Sequence, residues 1–183
     1  MTPPPPSAIL LVDGYNIIGS VNRLIYTRDR NGLEAARWEL VEALISYSAY
    51  QGFTTSVVFD AHYRDTPGNC EVITENISVY YTEFGQTADT FIEKSCASLR
   101  YELQASQRRL IVATSDRAQK LTVVGYGAEW MSAQQLAYEI EATAQRIRRK
   151  NQPRKQPNGR FLANSIDPKA RERLAELRMG GKK

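Results

Sequence analysis

The chain has 183 residues, 42% of them apolar, and a formal charge of +4. That length suits one domain with a core of its own plus an appendage, and the composition is that of a soluble globular protein. One histidine and two cysteines, Cys70 and Cys96, exclude a His-based triad, a Cys/His zinc site and a disulfide framework, so reduced thiols in a cytoplasmic protein are expected.

In chain order, "MTPPPPSA" has neither a positive n-region nor an apolar h-region. Residues 1–7 read as a proline-rich arm of polyproline II character rather than a signal peptide. "AILLV" (8–12) is a short apolar run, as in a strand covered on both faces, and it ends at Asp13, Gly14 and Asn16, which read as a turn. Leu33, Ala36, Leu40, Leu44 and Ile45 recur at helical spacing, predicting an amphipathic helix over 32–50 with Gly52 as its stop. "FTTSVVFD" (53–60) is β-branched and ends on Asp60, 61–69 is turn chemistry, and 71–83 holds a strand or two. Residues 87–106 read as a helix and "RLIVATSD" (109–116) as a further strand ending on an Asp. A short helix from about 116, an edge strand at "GAEWM" and a helix over 132–150 complete the body. Ser132 with Gln135 is a capping-box signature for that last helix. No apolar run reaches the roughly 18 residues of a membrane span.

Charge divides the chain. Residues 146–183 carry 13 Lys+Arg against 3 Asp+Glu, while 1–145 carry 11 against 17. Such a tail, with Arg148, Arg149 and Lys150 at its start, reads as an electrostatic handle for nucleic acid. A membrane surface is disfavoured because no apolar anchor accompanies the charge. From 151 the periodicity is lost, and "DPKARERLAELR" (167–178) predicts a short helix with few apolar contacts.

Strands alternating with helices imply an α/β fold, a mostly parallel sheet covered on both faces. In such a sheet the carboxyl ends of all parallel strands share one edge, where ligands bind. Asp13, Asp60 and Asp116 each end a strand-like run, Asp89 opens a helix, and Glu93 follows four residues later on the same helix face. Taken singly, Asp13 and Asp60 read equally as turn formers, Asp89 as a complement to a helix dipole, Asp116 as an N-cap and Glu93 as a solvated face. Taken together, they favour a hard cation such as Mg²⁺ or Mn²⁺, since clustered carboxylates otherwise repel. Thr114 and Ser115 read as phosphate or water ligands near that cation, or as helix caps. There is no P-loop and so no nucleotide cofactor is expected. A haloacid-dehalogenase phosphatase would want an Asp two residues after Asp13, where Tyr15 stands. A receiver domain lacks its acidic pair and its lysine.

"LLVDGYNII", "VVFDAH", "TEFGQTADTFIEK" and "IVATSD", in this order, resemble the NYN domain of the PIN-like nuclease superfamily, and within it the YacP-like group. The resemblance spans roughly residues 8–145, with a domain reaching to about 150. It implies a Rossmann-like three-layer sandwich around a mostly parallel five-stranded sheet. It also implies a Mg²⁺- or Mn²⁺-dependent endoribonuclease that leaves a 5′-phosphate and a 3′-hydroxyl, acting on mRNA at the ribosome as described for that group. Asp13, Asp89 and Asp116 match its core acids, with Asp60 a further acid of the cleft and Glu93 an outer-sphere ligand. Asn16 matches the asparagine that orients a water or the substrate phosphate. The alternative is an RNA- or ribosome-binding NYN module without catalysis. Oligomeric state is not implied.

Overall fold

The computed structural model describes residues 8–60 and 68–151. By contacts the chain divides into a first unit, Met1–Ile147, and a second, Arg148–Lys183. The arm at 1–7 and the tail helix expected at 167–178 lie outside the described residues, as does His62.

The central strand β1 (Ala8–Asp13) pairs in parallel with β2 (Phe53–Phe59) on one side and with β5 (Arg109–Ala113) on the other. The edges are β3 (Asn69–Thr74) beyond β4 (Ile77–Tyr81), and β6 (Glu129–Met131), giving the order β3-β4-β2-β1-β5-β6. Five strands run parallel, as the sequence implies. The sixth, β3, is antiparallel to β4 and corrects the expected count. It lies in the stretch read as a strand or two, but as an exposed edge strand without apolar alternation it shows its antiparallel place only through its pairing.

Alternation along β1 builds two cores. Ala8, Leu10 and Val12 face a cluster with Ile17, Ile18, Leu40, Leu44 and Leu136, while Leu11 faces Ile92, Cys96, Leu103 and Val123. The first core belongs to α1 (Gly14–Ser20), α3 (Leu33–Gln51) and α6 (Ala133–Asn151), and the second to α4 (Ala88–Ser106) and α5 (Arg117–Gly125). The three layers expected from the sequence are therefore present. So are two of its helix signals: Gly52 stops α3 in the left-handed conformation at φ 68°, and Ser132 Oγ accepts from the Gln135 N–H at 3.1 Å.

Gly14 and Asn16, which read as a turn, lie in α1, and α1 and α2 (Asn22–Asn31) fill a stretch to residue 31 for which the sequence predicted no helix. Asp13 caps α1, its carboxylate accepting the Asn16 N–H at 3.1 Å. The turn and the ligand readings of Asp13 thus meet in one geometry, a helix beginning at once beyond the strand. Gly14 does not hold a turn open; it is buried, and a Cβ there would lie within 2.8 Å of three atoms of the Phe59 ring. Phe59 is fully buried at the end of β2 and cannot retreat. Gly14→Ala is therefore expected to cost about 2–3 kcal/mol or more through overpacking. A urea midpoint equal to wild type would contradict this.

Candidate active site

The carboxyl edge of the sheet gathers the acids, each brought there by a local device. Asp13 ends the central strand and is only 7% exposed. Its carboxyl pKa is pushed up to about 7, chiefly by burial, against the Asn16 hydrogen bond that lowers it; the charges of Asp89, Asp60 and Asp116 raise it further. Asp89 sits in the first turn of α4 and is also raised, by burial and then by Asp116, Asp60 and Glu93. Asp13 thus still carries a proton as the pH nears 7 when no cation is bound.

Asp60 and Asp116 act on this pair through their charge, each fixed at the start of a different helix. The Asp60 carboxylate accepts the Ala88 N–H at the head of α4, tying the end of β2 to the helix that carries Asp89. Asp116 caps α5, its Oδ1 accepting from Ala118 N at 2.6 Å and Gln119 N at 3.0 Å. Both bonds fall on the same oxygen. Glu93, partly exposed, lies one turn beyond Asp89 on α4.

The five acids do not form one closed ligand set. Among the described residues no three Asp, Glu, His or Cys side chains stand close enough to cage an ion. Asp60 and Asp116 each have one oxygen engaged by the amides of separate helices. What remains, an oxygen-only pair with two further carboxylates in electrostatic range, fits a hard cation that keeps most of its waters. Gln119 supports the fit: it is 2% exposed on the turn capped by Asp116, and neither amide atom meets a partner among the described residues.

Asn16 joins two loops, its Oδ1 accepting from the Ser115 N–H at 2.6 Å. That bond fixes the amide plane and locks the β1–α1 junction to the β5–α5 junction. Thr114 is fully buried, with Oγ1 accepting from Asp116 N at 3.0 Å and its carbonyl accepting from Trp130 Nε1 at 2.8 Å. Its part here is to shape the turn below Asp116, so it does not face a substrate as the sequence suggested. Ser115 is exposed, and its Oγ accepts from Ala133 N at 3.2 Å. Arg148, Arg149 and Lys150 form the exposed last turn of α6, where cations suit the helix dipole.

Arg37 escaped the sequence reading. Its side chain is 13% exposed, lies 6.0 Å from the ring centres of Phe59 and Tyr81, and reaches Tyr15 Oη at 3.4 Å while pairing with Glu34. It brings a cation beside the segment that follows Asp13. Only tertiary packing shows it, since 22 positions separate it from Tyr15.

A three-layer α/β sandwich that collects aspartates at the carboxyl ends of its parallel strands suits a nuclease-type domain. The chain belongs to the YacP-like NYN domain family, whose model matches residues 10–179. That span takes in the basic tail, which the motifs alone placed outside the shared region. Among its relatives is the protein YacP of Bacillus subtilis (strain 168), uncharacterized under that name. The two are 36% identical over 142 residues, which is 78% of this chain and 80% of the relative. The crystal structure of Rae1 (YacP) from Bacillus subtilis superposes with a TM-score of 0.61 at 30% identity, covering 94% of this chain and 95% of that one. A mutant of Rae1 gives a TM-score of 0.65 at 31% identity, over 92% and 91% of the two chains.

Proposed function

We propose that this chain is a divalent-cation-dependent endoribonuclease that hydrolyses RNA, its substrate being mRNA engaged with the ribosome. One observation carries the reading. Asp13, buried at the end of the central strand, lies in the repulsive field of Asp89, Asp60 and Asp116, which together with burial raise its carboxyl pKa. A fold does not hold such repulsion without use for it.

Asp13 and Asp89 would hold Mg²⁺ or Mn²⁺, with the charges of Asp60, Asp116 and Glu93 adding to the attraction. Bound there, the cation would supply a water of lowered pKa and steady the charge that develops on the phosphate. Hydrolysis joins the water oxygen to phosphorus and breaks the P–O3′ bond, leaving a 5′-phosphate and a 3′-hydroxyl. The chain's own residues orient this chemistry. Asn16 fixes one junction to the other, and its remaining N–H donors suit a phosphate oxygen or a water. Ser115 offers the accessible hydroxyl beside it. Arg148, Arg149, Lys150 and the tail beyond them supply phosphate contacts.

The absence of a ready three-carboxylate cage among the described residues favours one rival, an RNA- or ribosome-binding module without catalysis. Cleavage separates the two. With Mn²⁺ present, wild type is expected to cut RNA internally, to leave 5′-phosphate ends, and to lose this activity on Asp13→Asn. RNA bound but uncut by wild type, free and on ribosomes alike, would support the binding module.

A further inference from the structure

Phe84 is 85% exposed, more than any other large apolar side chain among the described residues. A single exposed apolar residue means little by itself. What singles out Phe84 is its place and the way it is held. It lies in the loop between β4 and α4, on the carboxyl edge of the sheet and five residues before Asp89. The Glu83 carbonyl accepts the Gln86 N–H at 2.9 Å, and Gly85 takes φ +84°. Those are the marks of a type II turn with Phe84 at its first corner.

Both ends of the turn are pinned. Thr82 is buried and donates its N–H to the Phe59 carbonyl at 3.0 Å, directly before Asp60. Thr87 caps α4 through the Thr90 N–H at 3.2 Å, and the Asp60 carboxylate accepts from Ala88 N. The loop thus presents an aromatic ring to solvent from an ordered turn, between two of the candidate acids.

We infer that Phe84 is a base-stacking residue, holding the face of one unpaired RNA base next to the phosphate that is cut. The inference rests on the RNA substrate proposed above. Its physical ground is the charge of the edge. Asp13, Asp60, Asp89, Asp116 and Glu93 repel phosphates, so a strand held at this edge by phosphate contacts alone would be pushed away. Stacking on a neutral ring is indifferent to that repulsion and serves any base, because every base has a π-face. The basic tail then supplies attraction and the ring supplies register.

The test uses the full chain and a single-stranded RNA carrying 2-aminopurine, bound in Ca²⁺ and cut in Mn²⁺. F84A is expected to weaken binding and raise KM by roughly 5- to 100-fold, and F84L to behave like it. F84W is expected to stay near wild type and to retain the 2-aminopurine quench that F84A loses. The slope of affinity against salt should be the same for all four proteins, since no phosphate contact is removed. An exposed position leaves folding intact, which thermal melting checks. F84A indistinguishable from wild type, or F84L as good as F84W, would overturn the stacking role. Wild type that binds and quenches through Phe84 without cutting would keep this inference and sink the nuclease reading. Wild type that binds no RNA would end both.

Discussion

Asp13→Asn is expected to yield a cation-free protein that is more stable than wild type at pH 8 and inactive toward RNA. The folded state holds the Asp13 proton up to about pH 7, whereas an ordinary exposed carboxyl loses it near 3.8. Below about pH 4 both states carry the proton and the residue adds nothing to the pH dependence. As pH rises from there to about 7 the unfolded chain ionises first, and native stability falls. Above pH 7 the full loss, about 4 kcal/mol at roughly 1.36 kcal/mol per pKa unit, has been incurred. Asparagine carries no charge and keeps an oxygen for the Asn16 N–H, so the cap survives while the penalty goes. Thermal melts of both proteins should therefore coincide near pH 4 and diverge toward pH 8. Activity should fall roughly 10³-fold or more, the loss of several kcal/mol of charge stabilisation. A variant less stable than wild type at pH 8 would contradict this account of Asp13.

The second large effect separates the two duties of Asp116. As a cap it accepts two α5 amides, and as a charge it raises both Asp13 and Asp89. Asp116→Ala removes both duties and is expected to cost about 1–2 kcal/mol of stability along with the activity. Asp116→Asn keeps a capping oxygen, so stability should hold while cleavage falls by a similar factor to the alanine variant. In both, the Asp13 pKa should move down, because one like charge has gone; a carbonyl-carbon NMR titration of labelled Asp reads this directly. Equal stability of the two variants would mean that the cap contributes nothing.

The layers, the parallel order of the main strands and the acids at their ends were legible because short apolar runs and helical spacing are local signals. Asp13 was visible for the same reason, since an apolar strand ending on a carboxylate stands out. Residues 14–31 were not legible: the Asp13 cap looks like a turn until the Asn16 N–H is seen on its carboxylate, and α2 buries only Leu24. The stretch 71–83 read as a strand or two, and the exposure of β3 left its antiparallel direction and its place in the sheet unread. Gly14 was misread, because its requirement is for space beside Phe59, a residue 45 positions away in the chain. Thr114 was half legible, as a hydroxyl before a helix, while its full burial depends on β6 and Trp130 packing over it. Motifs gave the family's acids but made the basic tail look like an addition, whereas the family's span runs through it to residue 179. Contacts between distant elements account for each of these gaps.

The most direct test of the acid pair is calorimetric titration of Mn²⁺ into the full chain near pH 7, repeated in buffers of different ionisation enthalpy. Saturable binding with proton release is expected, because the cation must displace the proton that Asp13 still partly holds near this pH. The double variant Asp13→Asn/Asp89→Asn should bind no cation. Binding without proton release, or binding that survives in the double variant, would place any cation elsewhere and contradict the site proposed here.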